Sequence, residues 1–173
     1  YAYLVAGVVF RRYRSRAGLP NQPLLISTSS IALQGAIIHD YLPFLSKVMM
    51  ADGMLDSPLR AVLRKGKSHY VCDARLMKRL QTANLDRKNP LAKAALLSMR
   101  DHLDLDMAPH LSGYDRERIC VPPTCDCGKT ECRYLCYLDV CASERYAIQV
   151  CNHNLLLADA IHQGSGSFRT VPS

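Results

Sequence analysis

The sequence predicts a mainly α-helical protein: an irregular helical domain ending in a cysteine-rich, zinc-bound element. Two observations carry this expectation. Apolar residues recur at helical spacing between proline and N-cap signals through the first hundred residues, and alternating β patterns are scarce. Seven of the eight cysteines, Cys120, Cys125, Cys127, Cys132, Cys136, Cys141 and Cys151, fall in residues 120–151.

The elements follow in chain order. Residues 1–17 predict a helix that opens apolar and ends in Arg11, Arg12, Tyr13, Arg14 and Arg16, with Gly18 and Pro20 at its stop. Its apolar start is too short to span a bilayer. Residues 17–38 carry no charge but contain Pro20, Pro23 and a Ser/Thr run, so no transmembrane helix is read there. The chain opens on Tyr1, which reads as a piece of a longer chain, and no targeting signal is taken from its start. Residues 30–50 predict a buried helix that Pro43 kinks or divides near Leu42. Gly53 marks a turn. Ser57-Pro58 and Asn89-Pro90 each read as an N-cap followed by proline, predicting helices at 58–66 and 90–102. Leu76, Met77 and Leu80 place a helix at 74–84, and residues 103–118 read as a loop. SHYVC at 68–72 is the best strand candidate, and the cysteine window has room for short hairpins. Residues 154–162 predict a short helix ahead of a flexible tail. The predicted domains are a basic helical body at 1–115, the cysteine-rich zinc element at 116–153, and a helix with a tail at 154–173.

A hydrophobic content of 49% excludes wholesale disorder. The net charge of +7 is unevenly spread: residues 1–100 balance at +11 and residues 101–173 at −4. The basic surface is therefore expected on the helices ahead of the cysteines.

The thiol cluster is a metal site, a disulfide knot or a redox device. A helical body with Cys72 as its lone cysteine is unlike a secreted disulfide scaffold, and Cys125 and Cys127 are too close to pair comfortably. The short spacings suit chelation, since local turns can aim several sulfurs at one ion. Seven thiols with His153 could fill two sites, so one or two zinc ions are expected on Cys120, Cys125, Cys127, Cys132, Cys136, Cys141, Cys151 and His153. No CxxCxxC run appears, which favours zinc over an iron–sulfur cluster. A thiol-rich shell makes the metal a poor Lewis acid, so the zinc is expected to be structural. Cys72 reads as a buried apolar residue.

The stretch Cys125-Asp126-Cys127-Gly128-Lys129-Thr130-Glu131-Cys132-Arg133 resembles the post-SET motif CxCGxxxCR of SET-domain lysine methyltransferases. There the three cysteines bind zinc with a fourth from the SET core. Running on through CRYLCYLDVC, residues 120–141 are also similar to the CXC domains of chromatin proteins, which wrap several zinc ions and touch DNA. The SET resemblance would imply an enzyme, but Asn84-Leu85-Asp86-Arg87 stands where the family's NHSC motif would fall, so no catalytic residue is assigned.

The second signal is basic. Arg11, Arg12, Arg14, Arg64, Lys65, Arg75, Lys78 and Arg79 are the candidate phosphate contacts, with Tyr13 and Tyr70 available to stack. Arg75, Lys78 and Arg79 lead, because they sit on neighbouring helical turns. Asp101, His102, Asp104 and Asp106 read as a solvated loop, and His39-Asp40 as a core or interface pair. Neither a P-loop nor a dinucleotide fingerprint occurs.

These observations point to an intracellular protein of nucleus or cytoplasm, with structural zinc and a basic helical body that contacts nucleic acid or an acidic protein partner. Membership of a larger regulatory assembly fits the same features. The rivals are a divergent SET-type methyltransferase and a protein-interaction subunit that ignores nucleic acid.

Overall fold

A computed structural model describes residues 1–83, 90–125, 132–143 and 145–161. Helices dominate, as predicted. The chain divides into two compact units: residues 1–65 with 139–173, and residues 66–138. The second unit interrupts the first in sequence, and the division does not follow the predicted boundary at residue 115.

Unit 1 is built on a small parallel sheet that the sequence reading missed. The strands are β1 (Leu24–Ser27), β2 (Ala61–Arg64) and β3 (Ile148–Cys151), in the order β1-β3-β2. Leu24 and Ala61 both register with Ile148, and Ser27 and Arg64 both register with Cys151. The helix predicted at 58–66 is therefore wrong: Ser57 and Pro58 lead into a strand. Each strand is four residues long, and β3 is buried throughout. Parallel strands covered on both faces read as short apolar runs without alternation, which a period-2 search does not detect.

Helix α1 (Ala2–Arg16) packs Leu4 and Val8 into the core of this unit with Ile148 and Val150. Gly7 lets α1 lie close to β1: a Cβ at that position would force the Leu24 side chain to shift. Ser30 caps α2 (Ile31–Ala36), its hydroxyl accepting from the Leu33 N–H at 3.2 Å. A π-turn at Ile37–Tyr41 follows, and α3 (Leu42–Ala51) resumes with Pro43 at its start. Pro43 divides the helix as expected. It has no N–H to donate and its ring crowds the preceding turn, and the wider π-turn makes room for it. His39 and Asp40 are exposed on this turn, so they are not a core pair. Gly53 ends α3 at φ +65°, and the Met54 N–H reaches back to the Met49 carbonyl at 2.8 Å. Helix α8 (His153–Ile161) follows β3 directly, with the Asn152 side chain accepting from the Leu155 N–H at 2.7 Å.

Unit 2 holds α4 (Asp73–Ala83), α5 (Pro90–Ser98), α6 (Gly113–Ile119) and most of α7 (Arg133–Ala142), which crosses the boundary after Leu138. Its core gathers Val71, Leu76, Leu80, Leu96, Met99, Leu105 and Ile119. The expected strand at 68–72 is instead a 3-10 turn at Lys67–His69, followed by single antiparallel bridges from Tyr70 to Asp104 and from Val71 to Cys120. The expected loop at 103–118 contains a second 3-10 turn at Leu105–Met107 and helix α6. Ser112 caps α6, its hydroxyl accepting from the Asp115 N–H at 3.1 Å. The predicted hairpins of the cysteine window are α7 and β3 among the described residues.

Candidate metal centre and basic faces

Of the expected metal ligands, Cys141, Cys151 and His153 belong to unit 1, and Cys120, Cys125, Cys132 and Cys136 belong to unit 2. Cys141 and Cys151 are fully buried in unit 1. The Cys141 carbonyl accepts from Gln149 Nε2 at 2.8 Å. Burial pushes the Cys151 thiol above its ordinary value; the Ser27 side chain and the Arg64 charge pull it back, and Asp159 adds to the rise. A thiol held neutral is a poor metal ligand, since the thiolate is the form that binds. His153 opens α8 with its ring exposed, and its Nδ1 shares a 2.7 Å hydrogen bond with Ser27 Oγ. In unit 1 the expected ligands thus stand as two buried cysteines and a histidine at the edge of the sheet.

Unit 2 keeps the remaining thiols. Cys120 is half-buried and Cys125 exposed, Cys132 is half-buried just ahead of α7, and Cys136 is exposed one turn later. The Cys136 N–H donates to the Cys132 carbonyl at 3.0 Å. Cys127 lies outside the described residues. Cys72, set aside in the sequence reading as an apolar residue, is buried beside Tyr70, Val121 and Tyr134, in the cluster against which Cys132 packs.

Two backbone contacts and one ion pair bring these segments together. The Cys72 N–H donates to the Ile119 carbonyl at 2.8 Å, and the Val121 N–H donates to the Tyr70 carbonyl at 2.8 Å. Asp73 and Arg133, the residues just after Cys72 and Cys132, form a forked pair with Arg133 Nε 2.8 and 3.0 Å from the two carboxylate oxygens. Arg133 also donates to the Met99 and Arg100 carbonyls at 3.0 and 2.8 Å, beyond the end of α5. Long-range contacts of this kind leave no local signal in the sequence, which is why Cys72 was not linked to the window. Among the described residues, no group of three or more His, Cys, Asp or Glu side chains is arranged to hold a metal ion.

The expected phosphate contacts also separate. Arg64 is 2% exposed, with Nη1 donating to Gln149 Oε1 at 3.1 Å, so it does not face a surface ligand. Arg75 donates to the Cys120 and Glu117 carbonyls at 2.7 and 3.0 Å and thereby caps the C-terminus of α6. Arg79 Nε pairs with the buried Asp115 carboxylate at 2.7 Å. Lys65 is half-buried, and Arg14 donates to the Pro20 carbonyl at 3.3 Å. Lys78 is exposed. Arg11 and Arg12 line a groove in unit 1.

The reading by helical turns missed Tyr114 and Arg118, four residues apart on α6. The Tyr114 ring is 57% exposed, with the Arg118 guanidinium 4.2 Å and the Arg79 guanidinium 5.5 Å from its centroid. The i, i+4 spacing of an aromatic and an arginine was the available signal. The acidic run is structural: Asp104 caps the second 3-10 turn, and Asp106 pairs with Arg116 and lies 3.3 Å from His69.

Among the described residues no helix is long and apolar enough to cross a membrane. No protein-family model matches the chain, and no curated protein matches its sequence.

Proposed function

We propose that this chain is a nucleic-acid-binding protein whose second unit is stabilised by a structural, thiol-bound metal. The observation that carries the nucleic-acid part is the exposed Tyr114 ring with the Arg118 and Arg79 guanidiniums beside it. Aromatic rings and arginine planes both stack on bases without regard to sequence, and nearby cations take the neighbouring phosphates. Arg79 shares its charge with Asp115, so Arg118 and the exposed Lys78 are the phosphate contacts.

The metal part rests on the thiols left in unit 2. Cys120, Cys125, Cys127, Cys132 and Cys136 remain as ligands, and Cys72 joins them through its cluster with Cys132. Zinc suits this set by spacing and softness. It would tie the starts of α4 and α7 to the segment after α6, which has few apolar residues to do so.

Two measurements test the proposal. Tyr114→Ala should weaken binding of a short single-stranded oligonucleotide by about 1–3 kcal/mol. Arg118→Glu should flatten the plot of log affinity against log salt by about one phosphate contact. Unchanged affinity and slope in both variants sink the nucleic-acid assignment. Elemental mass spectrometry of the purified chain should find zinc. Iron with acid-labile sulfide would replace the zinc by an iron–sulfur cluster, and oxidised cysteines without metal would end the metal assignment.

A further inference from the structure

A groove of about 530 Å³ opens in unit 1, where the chain enters all three strands. Asn21 precedes β1, Arg60 precedes β2 and Arg145 precedes β3, while α1 supplies Arg11 and Arg12. Among the described residues, four guanidiniums line this space with one carboxylate, that of Asp56; Arg11 is already engaged, its Nη1 donating to the Tyr146 carbonyl at 3.3 Å. Among the described residues, Arg12, Arg60 and Arg145 have no carboxylate partner. Arg12 Nη1 donates to the Gly53 carbonyl at 3.4 Å, a neutral acceptor that fixes the fork without cancelling its charge. The Asn21 side-chain oxygen is buried without a hydrogen-bond partner. A side-chain amide can turn over, so this position can equally offer its NH₂ to a ligand oxygen. Met54, Leu55 and Leu59 supply an apolar wall.

We infer that this groove binds a small organic phosphate. Arg12, Arg60 and Arg145, without carboxylate partners among the described residues, select an anion with several oxygens, because a guanidinium fork matches phosphate two bonds at a time. The apolar wall selects a ligand with a hydrophobic or heterocyclic portion. The volume is that of a small-molecule site. The groove lies in unit 1 and owes nothing to Tyr114 or the thiols, so this inference stands apart from the nucleic-acid proposal.

The test is calorimetric titration of the whole chain in low salt with a purine mononucleotide, its unphosphorylated nucleoside, and inorganic pyrophosphate. The mononucleotide should bind with a Kd below about 1 mM, while the nucleoside should not bind. Pyrophosphate, which cannot use the apolar wall, should bind several-fold more weakly. The double variant R60Q/R145Q should lose at least about tenfold in affinity, since charge-assisted bonds are the strong ones. Both positions are exposed, and a matching thermal melt shows that the variant is folded. Absence of mononucleotide binding, or full retention of it in R60Q/R145Q, overturns the inference. Equal affinity for pyrophosphate and mononucleotide removes the organic portion and reduces the site to an anion hole.

Discussion

Cys151 and Cys125 illustrate how one residue type serves two purposes. Cys151 is fully buried against Ser27 and Arg64, while Cys125 is exposed. Its raised thiol pKa has a definite consequence for stability. The native state holds the Cys151 proton more tightly than the unfolded chain does. The stabilisation is complete below the ordinary value of 9.0 and is lost as pH rises through the higher native value. Urea melts of the native protein between pH 9.0 and the higher native value should therefore lose stability more steeply than those of Cys151→Ala, whose stability is lower at neutral pH but lacks this slope. Parallel slopes would show that Cys151 does not contribute. In the folded protein treated with a chelator at neutral pH, an alkylating reagent should label the exposed Cys125 well before the buried Cys151, as mass mapping would show. The same split applies to the arginines. Arg64, Arg75 and Arg79 carry the same charge, yet one is buried, one caps a helix and one pairs with Asp115. Sequence showed the charge, but three-dimensional partners decide whether it is available to a ligand.

At the scale of elements, the breaks at Gly18, Pro43 and Gly53 were legible, whereas the Ser57-Pro58 signal misled and the strands gave no cue. Gly18, Pro43 and Gly53 mark the ends and division of α1 and α3 because they act on the backbone within one or two residues. Four-residue strands that find partners on distant segments offer no such local cue. Helix α6 was also missed. It is only seven residues long and leans on Ser112 at one end and Arg75 at the other. Arg133 holds α4, α7 and the segment after α5 through Asp73, Met99 and Arg100. Arg133→Lys keeps the charge but loses the fork, and it should destabilise unit 2 by about 1–2 kcal/mol. Hydrogen exchange should place the loss at the first turns of α4 and α7. Uniform loss across both units would contradict this assignment of Arg133.

For the whole molecule, the controlling fact is that each unit has its own apolar core: Leu4, Ile37, Leu45 and Val150 in one, and Leu76, Met99, Leu105 and Ile119 in the other. Separate cores permit separate opening. Native-state hydrogen exchange should show the β1, β3 and β2 amides sharing one opening free energy, with α4 and the core of unit 2 following another. A single common value for all protected amides would show that the units unfold together. The helical class was readable because local periodicity carries it. The grouping into units was not, since it depends on which distant apolar residues meet. The thiol window crosses that division, so its compactness in sequence concealed two environments.

The β1-β3-β2 order carries a consequence for synthesis. β1 and β2 leave the ribosome early but do not touch as neighbours; the strand that joins them is β3, made only after all of unit 2. Unit 2 is contiguous and can gather its contacts as it emerges, whereas the sheet of unit 1 must wait with two unpaired strand edges. The nascent chain is most exposed to mispairing between the appearance of β2 and the arrival of Ile148–Cys151.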